Sequence, residues 1–316
     1  VTVHQLIESL SAQSALLVMW GALALHWLVP ISPAFHPLHW WQRLAFAIAD
    51  KVNKSNDAPS QRQISGLMAW LLMWLSVLIF LIALRQLVFL PAFFNLLLLW
   101  LALDWKPLHQ LSSRLQNGLA EERLKYCRYQ LSAELNRDTD RLTLVGLGKA
   151  AAETLLIGYG RRVIGVLFWY CVGGGIAAIM YRLAVGLARY WSPTRPLFAF
   201  FGTPAVRILA VLDLLPMRLF ALSIICGQHA RTSLQSLRQQ GEQWLLPGPG
   251  WLLAAAGSKL SLSLGGPVIY AGTRHERPTL GGQIAPAGYH LALLHQLIIN
   301  RIALWLIVSS ILLGIL

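Results

Sequence analysis

From Gly66 to Leu84 the chain carries no charged side chain. A run of that length matches the roughly 20 residues with which an α-helix crosses a ~30 Å hydrocarbon core. Backbone in lipid must satisfy its own amides and carbonyls, so such a run folds as a helix. Further apolar runs stand at 14–29, 87–103, 163–181, 205–226 and 290–316. They set the expectation of an all-α, polytopic integral membrane protein with about six transmembrane helices, forming one membrane domain over 1–316. Its polar parts are a cytoplasmic helical segment over 104–162 and a polar, Gly/Pro-rich cytoplasmic segment over 228–290. The composition, 56% apolar and 12% charged, excludes an ordinary soluble domain.

The net charge of +13 raises the question of nucleic acid. The bases are dispersed over many short loops with no basic, aromatic-interleaved face, so no nucleic-acid partner is expected and membrane lipid is. Ten of the 26 Lys and Arg residues fall between Asp104 and Arg162, and four more between Pro30 and Gly66. The positive-inside rule puts both loops in the cytoplasm, with the N-terminal side outside, in a cell inner (plasma) membrane. Cys127, Cys171 and Cys226 are far apart and read as small packing residues. The first apolar run lacks a basic leader and a small-residue cleavage site, so it reads as a retained span.

Prolines punctuate the chain. Pro30, Pro33 and Pro37 end the first helix, His36 sits in that turn, Trp40-Trp41 suits a membrane interface, and 51–62 reads as a polar loop. Gly173-Gly174-Gly175 lies in the middle of the 163–181 run. Three glycines suit close helix packing, the favoured reading, or a broken half-membrane segment. Arg182, Arg189 and Arg195 follow, which conflicts with an external loop.

Chemistry concentrates between Leu131 and Phe168. Arg137-Asp138-Thr139-Asp140 sets a guanidinium beside two carboxylates and a hydroxyl, able to orient phosphate and hold Mg²⁺. Thr139 or Asp140 serves equally as the cap of a helix starting near Arg141. Lys149 and Glu153 are four apart, the spacing of an ordinary helical ion pair. Arg207, Asp213 and Arg218 interrupt an apolar run around Pro216, as a cavity lining or a structural ion pair would. Leu264-Gly265-Gly266-Pro267, Tyr270, Gly272 and Arg277-Pro278 make a glycine-rich loop whose amides could approach an anion, without the spacing of a P-loop.

Together these pieces resemble the CobD/CbiB family of cobalamin-biosynthesis membrane proteins, the adenosylcobinamide-phosphate synthases. The likeness runs from His36-Pro37 through Arg137-Asp138-Thr139, Ala152-Glu153, Gly173-Gly174, Tyr181-Arg182, Arg207, Pro216 and Arg218-Leu219 to the Leu264–Pro278 loop. The resemblance implies ATP-dependent amide formation between a corrinoid carboxylate and aminopropanol phosphate, with Mg²⁺ and ATP as cofactors. It implies catalytic roles for Asp138, Glu153 and Asp213, and Mg²⁺ ligation by Asp138 and Glu153. Substrate binding would fall to His36, Arg137, Arg207, Arg218, Gly265, Gly266, Tyr270 and Arg277. The chain departs from the family pattern at several acidic positions, with Arg161 and Arg162 where that pattern has Asp-Gly. An altered or lost ligase site is therefore expected. A weaker likeness to AmpE-type inner-membrane proteins, carried by Leu167-Phe168-Trp169, Gly173-Gly174 and Tyr190-Trp191, implies a non-catalytic sensor or partner protein as the alternative.

Overall fold

Proline opens many of the helices, because its fixed φ suits the first turn and its missing amide is not needed there. In the computed structural model, which describes residues 3–29, 31, 36–227 and 230–315, α2 (Pro37–Val52), α3 (Pro59–Leu87), α4 (Pro91–Ala102) and α11 (Pro247–Lys259) all begin this way. Ahead of them lies α1 (Val3–Leu28). The expected breakers Pro30 and Pro33 lie outside the described residues. Between α4 and α11 come α5 (Trp105–Ala120), α6 (Leu124–Ser132), α7 (Leu144–Tyr159), a π-helical turn at Gly160–Ile164, α8 (Gly165–Tyr190), α9 (Thr203–Ile225) and α10 (Ala230–Gln240). α12 (Gly288–Ile315) closes the described chain. The Gly/Pro-rich segment also forms four short strands, β1 (Ser263–Gly265), β2 (Val268–Tyr270), β3 (Thr273–His275) and β4 (Thr279–Gly281), paired antiparallel as β1–β4 and β2–β3.

The all-α membrane architecture stands. α3, the helical run Leu144–Tyr190, α9 and α12 are long and apolar enough to cross a membrane, and Ala15–Leu28 of α1 is a shorter apolar helix. Two local readings change. The polar loop read over 51–62 is a loop only over 53–58, its ends belonging to the last residues of α2 and the first turn of α3. The helix read from near Arg141 begins at Leu144, capped by Thr143, whose Oγ1 accepts from the Gly146 amide at 3.2 Å.

The largest departure lies in α8. Gly173 (φ −146°, ψ 25°) and Gly174 (φ 67°, ψ −160°) leave helical geometry. Gly174 occupies a region of backbone space essentially reserved for glycine. The chain there doubles back. On a straight helix Gly165 and Tyr181 would be about 24 Å apart, yet the Tyr181 hydroxyl presses on Gly165 and the Trp169 and Tyr181 rings stack with centroids 6.3 Å apart. Of the two readings of the three glycines, close packing alone gives way to the broken segment: they form the tip of a helical hairpin. Gly175 does pack closely: a Cβ there would come within 2.8 Å of the Asn95 carbonyl oxygen. Its amide donates to Asn95 Oδ1 at 3.0 Å, so the one amide group of α4 serves the broken backbone.

The hairpin removes the charge conflict. Arg162, on the first arm, and Arg182, on the second, both reach Asp104 Oδ2, at 3.4 and 2.8 Å. The tip lies only about 12–17 Å from these arginines at 1.5 Å per residue, roughly half a hydrocarbon core. The run therefore enters and leaves on one side, and Arg182, Arg189 and Arg195 share that side with the 104–162 segment. Neighbouring helices keep the same axis. Tyr170, near the tip, donates to Ala15 O at 2.8 Å, whereas His26, eleven residues along α1, accepts from the Trp105 and Lys106 amides at 3.1 and 3.0 Å. The helices thus span an apolar tip layer and a polar layer holding α5, α6, α7, α10 and the β-ribbons.

Candidate functional site

α7 carries Glu153 beneath the β-ribbons, and Glu153 is the hub of the polar layer. Its Oε1 accepts from the Gly265 amide at 2.8 Å. Arg277 Nη2 lies 3.3 Å from Oε2 and 3.5 Å from Oε1. Arg137 Nη1 stands 3.8 Å from Oε2, and the Arg137 and Glu153 side chains are each only 7% exposed. Lys149, expected to pair with Glu153 along the helix, instead donates to Ser263 Oγ at 3.0 Å. Asp138 ties the opposite rim: its amide donates to Ile269 O at 3.2 Å, and its Oδ2 accepts from the Gly272 amide at 2.9 Å.

The ribbon holds its shape through glycine. Gly265 has φ +74°, and a Cβ there would collide with the Pro278 carbonyl oxygen and sit 2.9 Å from the Trp244 ring. Gly266 (φ +88°) leaves its carbonyl to accept from Arg277 Nε at 3.0 Å, while the Arg277 guanidinium lies 4.8 Å from the Trp244 ring centroid. Arg277 is thus oriented from three sides. Arg137 is not: its Nε is buried without a hydrogen-bond partner among the described residues. Burial pushes the Arg137 pKa down, Glu153 opposes this, and Arg277 adds to it. One carboxylate facing two guanidiniums leaves positive charge uncompensated, a setting suited to an incoming anion.

That arrangement does not suit a protein-held Mg²⁺. Both Glu153 oxygens are engaged by guanidiniums and an amide, and Asp138 is turned onto Gly272. Among the described residues no group of three or more His, Cys, Asp or Glu side chains is placed to hold a metal ion.

The remaining candidates fall elsewhere. Asp213, 0% exposed, accepts from Arg161 Nε at 2.8 Å and from the Tyr181 hydroxyl at 2.7 Å, and pairs with neither Arg207 nor Arg218. Arg207 is exposed near the start of α9. Arg218 lies 4.5 Å from the Trp251 ring centroid, with its Nε buried and unpartnered among the described residues. His36 caps α2, its Nδ1 accepting from the Leu38 amide at 3.2 Å. Burial, with Arg182 adding to it, holds the His36 imidazole below its ordinary pKa.

Arg161 and Arg162, adjacent on the π-helical turn, point to different carboxylates. Arg161 meets Asp213; Arg162 meets Asp104 and Glu134, and Arg189 Nη1 lies 3.4 Å from the same Glu134 oxygen. Burial pushes the Asp104 carboxyl up, but Arg162 and Arg182 outweigh it and hold its pKa below the ordinary value. A carboxyl depressed on folding contributes stability above its unfolded pKa of about 4 and loses it as pH falls through its folded pKa. Asp104→Asn is therefore expected to flatten the acid limb of a stability–pH profile measured by thermal unfolding in detergent between pH 7 and 3. An unchanged acid limb would contradict the network.

Sequence comparison places the chain in a family. The family model described as CobD/Cbib protein matches residues 19–296. The Cobalamin biosynthesis protein CobD of Stutzerimonas stutzeri is 30% identical over 297 residues, covering 93% of this chain and 97% of the relative. The chain belongs to the CobD/CbiB family. A second CobD, from Chromobacterium violaceum, is 30% identical over 291 residues, covering 91% of this chain and 93% of its own length, and one from Geobacter metallireducens is 28% identical over 195 residues. No solved structure matches.

Of the CobD/CbiB motif residues, the fold gathers Arg137, Asp138, Glu153, Gly265, Gly266 and Arg277 at one place. Tyr270 belongs with them by strand β2 and by its electrostatic influence on Arg137. Sequence reading overlooked Glu134, Asp104 and Trp244. Glu134 was the most accessible of these, since a carboxylate three residues before Arg137 in so weakly charged a chain calls for a partner. Its partners Arg162 and Arg189 straddle the hairpin tip, which no local pattern announces.

Proposed function

We propose that this protein acts at the inner membrane in cobalamin biosynthesis, the process for which its family relatives are named. In this reading the Arg137–Glu153–Arg277 pocket receives an anionic group of a corrinoid substrate. The reaction is ATP-dependent amide formation between a corrinoid carboxylate and an aminopropanol phosphate, in which ATP cleavage drives loss of the elements of water. ATP with its Mg²⁺ enters as substrate. The chain's own part is binding and orientation: Arg137 and Arg277 hold the anion, Glu153 fixes both guanidiniums and the Gly265 amide, and Asp138 pins the ribbon turn at Gly272.

The supporting observation is the buried, under-bonded Arg137. Its Nε lacks a partner among the described residues and its ion pair is long, at 3.8 Å. A substrate carboxylate or phosphate would supply the missing bonds, and charge-assisted bonds of this kind contribute about 1.5–3 kcal/mol each. Arg137→Ala is therefore expected to weaken cobyric acid binding by about 10–100-fold, read by equilibrium titration of the corrinoid absorbance with purified protein. ATP-dependent amide product, followed by mass spectrometry, should fall with it. Wild-type affinity in that variant would overturn the assignment.

A further inference from the structure

Arg137 and Arg277 face the same carboxylate but are held differently. Arg277 is oriented by bonds from its own side chain, to the Gly266 carbonyl and to Glu153. Among the described residues Arg137 has the 3.8 Å pair with Glu153 and a buried Nε without a partner. The placing of its guanidinium therefore falls to the backbone that carries it. That backbone is anchored one residue away on either side. Asp138 ties it to the ribbon through Ile269 and Gly272. Asn136 ties it to the base of the helical hairpin: its Nδ2 donates to the Arg189 carbonyl at 3.2 Å, and its Oδ1 accepts from Arg195 Nη2 at 2.8 Å. One end of the amide donates and the other accepts, so the side chain fits in a single orientation. The chain just before it is pinned to the same base. Arg189 Nη2 donates to the Ala133 carbonyl at 2.6 Å, and Glu134 pairs with Arg189 and with Arg162. A loop that merely joined α6 to α7 would have no need of side chains from both arms of the hairpin.

We propose that Asn136, with Arg189 and Arg195 behind it, is a positioning residue for the anion pocket. It fixes the backbone from which Arg137 reaches the substrate anion, and so couples the membrane hairpin to the site. This role rests on the pocket's receiving a substrate anion, as read above. A guanidinium already held in its binding position loses little freedom when the anion arrives. Ordering one long side chain on binding otherwise costs about three- to tenfold in affinity. The hairpin base thus does for Arg137, through its backbone, what Gly266 and Trp244 do for Arg277 through its side chain.

The test is a set of cobyric acid titrations with the purified protein in detergent. Asn136→Ala is expected to weaken binding about three- to tenfold. Arg195→Ala, at an exposed position, removes the Oδ1 bond alone and should weaken it less. Arg195→Lys should restore it, since one ammonium donor replaces one guanidinium donor. In the Arg137→Ala background, Asn136→Ala should change affinity by less than about twofold, because no guanidinium is left to place. A purely structural role would lower affinity equally in both backgrounds. That equality, or wild-type affinity in Asn136→Ala, overturns the positioning role and leaves the corrinoid reading standing. If the wild-type protein binds no cobyric acid, the corrinoid reading falls and hydrogen exchange over 137–142 decides the clamp. Faster exchange there in Asn136→Ala supports it, and unchanged exchange overturns it.

Discussion

Glu153→Ala is expected to destabilise the protein by about 3–5 kcal/mol, the range for breaking a buried ion pair by removing one partner. The side chain it removes engages the Gly265 amide and Arg277 and faces Arg137. Without it, the largely buried Arg137 and part-buried Arg277 guanidiniums are left with no carboxylate between them. Glu153→Gln should lose less, because an amide oxygen can still accept from Gly265 while the charge balance is lost. Arg137→Ala should lose least of the three, since its 3.8 Å pair contributes little and its removal relieves repulsion on Arg277. That order, measured by denaturant unfolding in detergent, separates a binding arginine from a structural one. A larger loss for Arg137→Ala than for Glu153→Ala would show that Arg137 holds the fold instead.

Gly174→Val is the second large effect. At φ 67° and ψ −160° a β-branched residue is forced out of its allowed backbone space, with strain of about 1–3 kcal/mol. Asn95→Leu attacks the same tip from α4, leaving the Gly175 amide without its acceptor; a buried donor left unpaired costs about 1–3 kcal/mol. The two residues serve one turn, so their effects should not add. In a double-mutant cycle on thermal stability, Gly174→Val with Asn95→Leu should cost clearly less than the sum. Full additivity would mean that the tip does not depend on Asn95.

The apolar runs were legible because a membrane span has few alternatives, and the Arg137-Asp138 and Leu264–Pro278 motifs were legible as anion-facing chemistry. The hairpin was legible only as the second reading of Gly173-Gly174-Gly175, a broken half-membrane segment, since hydropathy and helical period are the same for a helix that crosses and one that turns back. The trace it left was the basic set Arg182, Arg189 and Arg195 beyond an apparent crossing. Local spacing misled at Lys149 and Glu153, where an i,i+4 pair worth a few tenths of a kcal/mol yielded to bonds from segments more than a hundred residues away. Asp213 misled similarly: its partner Arg161 lies on a π-helical turn, and such a turn shifts side-chain directions without changing the sequence pattern. Read as a charge reversal, Arg161 and Arg162 are each matched to a carboxylate in the fold.

The gathering of Arg137, Glu153 and the basic hairpin ends on one membrane face is tested most directly by sidedness. Single cysteines would be placed at Asn56, Ser113, Leu197 and Phe89 in protein freed of Cys127, Cys171 and Cys226, then labelled in oriented vesicles with a membrane-impermeant maleimide. Leu197→Cys, beyond the second hairpin arm, is expected to label from the same side as Asn56→Cys and Ser113→Cys, with Phe89→Cys, at the 99% exposed α3–α4 turn, labelling from the other. Labelling of Leu197→Cys together with Phe89→Cys would mean that α8 crosses the bilayer, and the shared face would be contradicted.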